Sequence, residues 1–369
     1  MSLRDLSLND EHAKNGVAFM DWLGVRVPEH FGDPCAEYEC ALERVGLVDR
    51  SYRGVVEVCG PEVLSFLQRT ISSETENLRI DEGQPSAFLN AKGKLVGHFW
   101  TYRVAEDRCN LHFLEPLRDE FVKQLQKYAF LSDIAVRDAE LAVVEVCGPQ
   151  SSELVETAFG VDPSTLLPSR RSLHRYGDVE LALYRSSNGI EVQLSRKALG
   201  DLWSTLSVAT GKLGGAVVGQ GAAEILRVEA GVPVYGLDYD SNHFPAEAGL
   251  ENALSYAKCY VGQEIVARMK TYGHANRTLY GLRFPEGALP PAGTMLTREG
   301  RDFGPLTSPV LSPRFGSIAL CMVARRFWPA KESSAEMVTM GVETAGQKVD
   351  IGLFGLPFSG RSGRGPKSG

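Results

Sequence analysis

The residues best suited to chemistry in this sequence are two neighbours, Lys258 and Cys259, within an irregular polar stretch at residues 227–269. The stretch combines charged side chains with several glycines, which is typical of an exposed loop between two helices. We expect the second helix to begin near Gly262, so that Cys259 lies just ahead of a helix N-terminus. A helix N-terminus and a neighbouring ammonium group both stabilise a thiolate, so we expect a reactive sulfur here. The alternative is a buried structural cysteine, because free cysteines are often buried.

An internal repeat predicts the elements that precede this stretch. The sequence V-V-E-V-C-G-P occurs at residues 55–61 and again at residues 143–149, each time followed by a helical pattern. Each copy then has two strands, a second helix and a short final strand. We expect these elements at residues 95–104, 111–114, 116 onwards and 134–137 in the first copy, and at residues 179–184, 190–194, 199 onwards and 216–218 in the second. The order is β-α-β-β-α-β twice, which predicts two tandem ferredoxin-like units with a ligand cleft between their sheets.

The rest of the chain is expected to flank those two units in an α+β protein. Short apolar strands separated by Gly and Pro from about residue 276 favour a small antiparallel β-barrel. The last residues are Gly-rich and basic without an apolar anchor, which indicates disorder. We therefore expect an N-terminal approach segment packing on the core, two ferredoxin-like units, a C-terminal barrel and a disordered tail, at residues 1–54, 55–142, 143–274, 275–358 and 359–369.

The composition of the chain argues against several classes of protein. Hydrophobic residues make up 43% and charged residues 23% of the chain, as in ordinary globular proteins. The net charge of −7 argues against general nucleic-acid binding, which requires an excess of Lys and Arg. The N-terminal residues lack the apolar core of a signal peptide, and no stretch reaches the ~18 apolar residues of a membrane helix, so we expect a cytoplasmic protein without a membrane partner. The seven scattered cysteines include no C-x-x-C, so we expect free thiols and no metal site.

Two motifs in the polar stretch carry a family resemblance. L-R-V-E-A-G-V-P-V-Y-G-L-D at residues 226–238 and P-A-E-A-G-L at residues 245–250 resemble the folate-binding core of the aminomethyltransferase (glycine cleavage T-protein) superfamily. K-C-Y-V-G-Q-E at residues 258–264 is more similar to the YgfZ branch, although the glycine that this branch has between Lys and Cys is absent. Weaker similarities extend over residues 3–358. The resemblance implies a folate-binding core of two ferredoxin-like units followed by an antiparallel barrel.

The same resemblance implies tetrahydrofolate, or a folate derivative, as the cofactor. A pterin ring needs an aromatic wall and a carboxylate at its polar edge, and the carboxylate tail of folate needs Arg or Lys. Residues of these types that could bind the cofactor are Tyr184, Glu191, Arg227, Tyr235, Asp238, Glu247 and Arg268. Tyr184 and Glu191 could instead serve hairpin packing, and Arg227 could pair with Glu224 or Glu229 on its own helix.

One part of the T-protein pattern is missing. Gly97 and His98 stand where that family has two aspartates, so the carboxylate that positions and activates folate for aminomethyl transfer has no counterpart. His98 is a candidate replacement base, because the pKa of an unperturbed imidazole lies near neutrality. A packing or surface role is the alternative, since no catalytic partner lies near it in sequence.

Three functions are consistent with these features. The first is a YgfZ-like tetrahydrofolate-binding protein that supports iron–sulfur cluster assembly or repair, with Cys259 as the redox-active or cluster-contacting residue, Lys258 as its thiolate stabiliser and iron–sulfur proteins as partners. The second is a folate-dependent aminomethyltransferase, or a related one-carbon or methyl transferase, in which His98 or Asp238 replaces the missing aspartate. The third is an interaction module without folate, suggested by Gly97 and by Ser187, which replaces a glutamate of the T-protein hairpin.

Overall fold

The computed structural model of the chain describes residues 3–14, 16–272, 275–329, 337–344 and 346–358. Two compact units make up the chain. One, the core unit, comprises Met1–Asn90, Val96–Ala223 and Ala253–Gln263, and the other, the barrel unit, comprises Ala91–Leu95, Glu224–Asn252 and Glu264–Gly369. The disordered tail expected at residues 359–369 lies outside the described residues.

The N-terminal segment forms a small sheet, two helices and one further strand. Its elements in chain order are β1 (Arg4–Asp5), α1 (Asn9–Lys14), β2 (Ala18–Trp22), β3 (Val25–His30), α2 (Pro34–Glu43) and β4 (Gly46–Asp49). The first three strands pair in the order β1-β3-β2. In helix α2, Pro34 occupies the first turn, and the Asp33 carboxylate caps the helix by accepting the Cys35 N–H at 3.0 Å.

The first repeat folds into a five-stranded sheet covered by two helices. Its elements are β5 (Arg53–Cys59), α3 (Val63–Thr70), β6 (Gly83–Leu89), β7 (Leu95–Ala105), β8 (Arg108–Leu114), α4 (Arg118–Ala129) and β9 (Ala135–Asp138). The strand order is β6-β7-β8-β5-β9, a ferredoxin-like arrangement extended at one edge by β6. Alternate residues of the strands pack on the helices around Phe66, Leu111 and Leu125, none of which is more than 1% exposed.

The second repeat forms a six-stranded sheet that includes a strand from the N-terminal segment. Its elements are β10 (Leu141–Cys147), α5 (Ser151–Phe159), β11 (Arg171–Tyr176), β12 (Val179–Arg185), β13 (Gly189–Ser195), α6 (Leu199–Lys212) and β14 (Ala216–Val218). The strand order is β11-β12-β13-β10-β4-β14. Strand β4 runs antiparallel to β10 and parallel to β14. Residues 46–49, which the sequence predicts only as part of the N-terminal approach segment, therefore lie inside this sheet.

Close packing explains why β4 begins with a glycine. A Cβ atom at Gly46 would lie 2.7 Å from Val218 Cγ2 and 2.8 Å from Cys147 Sγ, which is closer than real Cβ contacts. All four residues of the strand are buried, and Leu47 is fully so. The N-terminal segment is therefore part of the core of the second repeat.

The barrel unit contains the closed antiparallel barrel that the sequence predicts. The remaining elements of the chain are α7 (Gln220–Glu229), α8 (Gln263–Tyr272), β15 (Arg277–Arg283), β16 (Met295–Arg298), β17 (Arg301–Ser312), β18 (Gly316–Ala324), β19 (Val338–Thr344) and β20 (Gln347–Phe354). The six strands close in the order β15-β18-β17-β16-β19-β20 around fully buried Leu282, Phe303 and Leu306. Closure leaves no strand edge unpaired. The predicted α+β class and C-terminal barrel are thus confirmed.

Among the helices that the structure describes, none combines the length and the apolar character needed to cross a bilayer. The cytoplasmic location expected from the sequence stays a prediction.

The position of β4 predicts a large stability cost when its central side chain is shortened. Leu47→Ala should lower the free energy of unfolding by about 2–5 kcal/mol, because it leaves a cavity between α6 and the sheet. Leu131→Ala, at a side chain that is 74% exposed, should change it by less than about 0.5 kcal/mol. Urea denaturation followed by circular dichroism measures both values. Equal values for the two variants would contradict a buried central strand.

Candidate functional site

The segment that carries Lys258 and Cys259 is attached to the loop after α3 within the core unit. Ser72 Oγ donates to the Ala253 carbonyl at 2.5 Å, and the Ser255 N–H donates to the Ser72 carbonyl at 2.7 Å. Lys258 Nζ donates to the Gln68 carbonyl at 2.8 Å. These three contacts hold the segment in place even though it is irregular.

Lys258 is buried, and its surroundings favour the neutral amine. Burial lowers its pKa to about 8, although Glu74 and Glu76 oppose this shift. Glu74 Oε1 and the Tyr260 hydroxyl are both buried without a hydrogen-bond partner among the described residues. The ammonium nitrogen lies 5.7 Å from the centre of the Tyr260 ring. Lys258 is therefore an ammonium group that loses its proton more readily than an exposed lysine, and it lies among polar atoms that lack partners within the described residues.

Cys259 is exposed, so the alternative of a buried structural cysteine is wrong for this residue. Helix α8 begins four residues later at Gln263, close to the predicted position. By contrast, burial raises the pKa of Cys109 and of Cys147 to about 12. Lys258 donates to a backbone carbonyl rather than being left free for its neighbour, and its role as thiolate stabiliser stays a prediction.

Tyr184 and Glu191 are brought together as cross-strand neighbours on β12 and β13. Tyr184 is only 3% exposed, its hydroxyl donates to Gln193 Oε1 at 3.1 Å, and its ring lies edge-on to Tyr102 with centroids 4.6 Å apart. Burial raises the pKa of Tyr184 well above its usual value, and the nearby Tyr102 adds to the shift. The Tyr184 ring is therefore already covered by the protein's own side chains.

The contacts of Tyr184 belong to a buried polar seam where the two sheets of the core unit meet. We use "the seam" for Arg50, Arg53, Tyr102, His112, Glu145, Tyr184, Glu191 and Gln193. Glu145 and Glu191 lie directly opposite each other on β10 and β13, an unfavourable pairing of like charges. Arg50 pairs with Glu145 at 2.8 Å and Arg53 pairs with Glu191, so each carboxylate has its own guanidinium.

Sequence reasoning missed most of the seam. His112 Nε2 accepts a hydrogen bond from Gln193 Nε2 at 3.3 Å, and its ring lies 4.8 Å from that of Tyr102. A pattern in the sequence could have revealed His112. Polar side chains occupy alternate positions of β8, at Asn110 and His112, and therefore share one face of the strand. A fully buried face would be apolar at these positions.

His98 and Gly97 are neighbours on β7. Burial lowers the pKa of His98 to about 4, so its imidazole is neutral at pH 7 and a weak base, unlike the near-neutral base expected from the sequence. Its Nε2 atom is buried without a hydrogen-bond partner among the described residues. A Cβ atom at Gly97 would meet no atom within 4 Å, so the position has open space for a side chain or a ligand.

In the barrel unit, Arg227 and Asp238 form a connected network. Arg227 binds the carboxylates of Glu224 at 2.6 Å and Asp238 at 2.7 Å, so the predicted pairing with Glu224 is confirmed. Asp238 also accepts the hydroxyl protons of Thr307 and Ser308 at 2.8 and 2.7 Å. Through these contacts, Arg227 and Asp238, both predicted to bind the cofactor, hold the loop after α7 against strand β17.

The other predicted cofactor-binding residues of the barrel unit lie apart from that network. Tyr235 packs edge-on against Tyr239 with ring centroids 5.5 Å apart. Glu247 is 2% exposed and accepts the Phe244 N–H at 3.0 Å. Arg268 is exposed on α8, where its only ion pair among the described residues is with Glu264 at 2.9 Å. Of these residues, Arg268 is the most accessible to a ligand.

Comparison with known proteins identifies the family. The GCVT N-terminal domain matches residues 8–258, which is more than half of the chain. This chain belongs to the GCVT family.

Relatives in the GCVT family align with this chain over nearly all of their length. Proteins named aminomethyltransferase from Bacillus licheniformis and Symbiobacterium thermophilum are 26% and 28% identical to it; the alignments cover 96% and 87% of this chain and 98% and 90% of the relatives. A crystal structure of the glycine cleavage system aminomethyltransferase T from Bartonella henselae superposes with a TM-score of 0.85 at 24% identity and covers 96% of this chain and 98% of that one. This chain therefore shares the fold of that crystal structure over 96% of its length.

The two partly buried histidines, His98 and His112, predict how acid affects stability. Burial lowers the pKa of His98 to about 4 and that of His112 to about 3, the latter helped by Arg53 and Arg171. Their folded-state pKa values lie below the unfolded value, so their contribution to stability is complete above about pH 6.5 and is lost as the pH falls toward 4. The free energy of unfolding should decrease between pH 6.5 and 5, above the usual range of carboxylates, and less steeply in His112→Gln. Urea titrations at several pH values measure this, and an unchanged slope would contradict the assignment.

Proposed function

We propose that this protein binds a reduced folate and transfers a one-carbon unit, as a folate-dependent aminomethyltransferase or a related transferase. The observation that carries the proposal is the near full-length alignment with relatives named aminomethyltransferase, which extends through both units. A match limited to one unit would have supported only a shared domain. This reading is favoured over a YgfZ-like accessory protein, to which only one short motif points.

The chain has features that fit tetrahydrofolate. Gly97 is one of the two positions where the resemblance places an aspartate, and its open space lets a ligand group approach the backbone of β7 there. Buried His98 Nε2 is an unsatisfied polar atom on the same strand. Within the core unit, Glu191 at the seam supplies a carboxylate of the kind that a pterin edge needs. When bound, tetrahydrofolate would act as the acceptor or donor of the one-carbon unit.

The residues of this chain handle the proton differently from the T-protein pattern. No carboxylate is present at residue 97, and His98 is neutral with a pKa near 4, so it accepts a hydrogen bond but takes up a proton poorly at pH 7. Asp238 is already saturated by Arg227, Thr307 and Ser308 and cannot replace the missing aspartate without breaking that network. We therefore infer slow aminomethyl transfer, or a substrate that needs no strong base.

Restoring the carboxylate tests this proposal. Gly97→Asp should fold, because residue 97 has space for a side chain, and should raise the rate of 5,10-methylenetetrahydrofolate formation from an aminomethyl-lipoyl carrier by about 100-fold. Gly97→Asn, which has the same size without the charge, is the matched control and should stay at the wild-type rate. Absence of turnover above background in both wild type and Gly97→Asp would reject folate-dependent aminomethyl transfer.

A second candidate function rests on the exposure of Cys259. We propose, as the alternative, a YgfZ-like role in iron–sulfur cluster assembly or repair, in which Cys259 Sγ contacts a client protein or its cluster. Its motif K-C-Y-V-G-Q-E and its position before α8 support this role. In this role the ammonium group of Lys258 would stabilise the thiolate of its neighbour.

The two proposed functions differ in whether they require the Cys259 thiol. Cys259→Ala should abolish complementation of a cluster-repair defect but leave folate binding intact. Cys35→Ala, which removes another exposed thiol, should complement as well as wild type. The measurement is growth of a repair-deficient strain that expresses each variant at equal level. Full complementation by Cys259→Ala would exclude Cys259 from the mechanism.

A further inference from the structure

A cavity of about 310 Å³ lies within the core unit, between the sheets of the two repeats. The cavity adjoins the seam, because Gln193 is a seam residue that also lines the cavity. The first sheet contributes Glu57, Arg108 and Asn110 to its lining, and the second contributes Glu180 and Ala182. At about 30 Å³ per water molecule, the space equals that of about ten waters, which is enough for a small organic ligand.

Asn110 is the residue that distinguishes this cavity. Its side chain is only 6% exposed, and its Oδ1 atom has no hydrogen-bond partner among the described residues. Buried amide oxygens in native proteins almost always accept a hydrogen bond, so this acceptor calls for a donor. On the neighbouring strand Glu57 lies directly opposite Asn110, and a carboxylate offers no proton to it.

No polar group of the lining is a hydrogen-bond partner of Asn110 Oδ1 among the described residues. Gln193 Oε1 accepts from Tyr184, and Gln193 Nε2 donates to His112. Arg171 is held by Asp81 at 2.6 Å and by the Val104 carbonyl at 2.8 Å. Asn110 Oδ1 is therefore an acceptor available to a donor from a molecule that enters the cavity.

The charges of the lining indicate what kind of donor fits. Arg108 is engaged with Glu57 at a separation of 3.5 Å. Glu180 is exposed and has no ion-pair partner among the described residues, so its carboxylate is available to a cation in the cavity. Asn110 Oδ1 and the Glu180 carboxylate are thus two acceptors available to one donor group. The apolar part of the lining, which includes Ala182 and Leu194, suits a short aliphatic group.

We propose that this cavity binds a small aliphatic ammonium compound. Its N–H groups donate to Asn110 Oδ1 and to the Glu180 carboxylate, and its aliphatic part packs on Ala182 and Leu194. If the ligand is an amino acid, its carboxylate lies toward Arg108; a simple amine leaves Arg108 paired with Glu57 alone. Because the ligand contacts both sheets, binding stabilises the junction of the two repeats.

Calorimetric titration of the full-length protein tests the proposal with three probes of similar size. Butylammonium and norvaline carry the ammonium group, without and with a carboxylate, and 1-butanol lacks the charge. We expect saturable binding of at least one of the two ammonium probes and a raised melting temperature, with 1-butanol without effect. Tighter binding of norvaline assigns the site to amino acids, and tighter binding of butylammonium assigns it to simple amines.

Variants of the lining make the test specific. Glu180→Gln should weaken binding of the ammonium probe by about tenfold or more, through loss of a charge-assisted hydrogen bond, and Asn110→Leu should do the same. Glu156→Gln removes an exposed carboxylate on α5, away from the cavity, and should bind as wild type does. Glu180 is exposed, so its variant keeps the test valid even if Asn110→Leu fails to fold. Failure of both ammonium probes to bind, equal binding of 1-butanol, or an equal loss in Glu156→Gln would overturn the proposal.

Discussion

The core unit depends on the pairing of two arginines with two buried glutamates at the seam. Glu145 and Glu191 face each other across neighbouring strands, an arrangement that is stable only if both charges are compensated. Burial alone would raise the pKa of Glu145, but Arg50 and Arg53 more than offset it and hold the pKa below its usual value. Removing one partner of such a pair typically costs about 3–5 kcal/mol, because an unpaired charge stays buried.

The position of these two arginines in the chain explains why the N-terminal segment is part of the core. Arg50 lies in the short connection between β4, in the sheet of the second repeat, and β5, in the sheet of the first, and Arg53 is the first residue of β5. One connection therefore joins both sheets covalently and supplies the charges that let their polar faces meet. The same arginine, Arg53, helps to keep His112 neutral by lowering its pKa. The seam is thus an electrostatically balanced interior that also sets the protonation of its histidine.

Sequence reasoning predicted the parts of the fold that are encoded locally. The repeated V-V-E-V-C-G-P has a period of two followed by a helical pattern, and both repeats fold accordingly. Strand β4 could not be found in this way, because its partners β10 and β14 lie about 100 and 170 residues later in the chain. Likewise, Arg53 and Glu191 are separated by 138 residues, and no local pattern links them.

The sequence predicted which types of residue the candidate site contains, but not which of these residues contact each other. Arg227 and Asp238 have the chemistry expected of ligand-binding groups, yet each satisfies the other within the barrel unit. The exposure of Cys259 depends on how residues 253–258 attach to the loop after α3, which no spacing in the sequence reveals. His98 was expected to titrate near neutrality, whereas burial moves its pKa to about 4. In each case tertiary packing, which the sequence does not display, decides what the side chain can do.

The proposed activity requires that this chain bind a reduced folate despite the glycine at residue 97. Isothermal titration calorimetry of the purified full-length protein with tetrahydrofolate under anaerobic conditions measures this directly. The account predicts saturable binding with one site per chain. An absence of saturable heat at folate concentrations up to the millimolar range would contradict it.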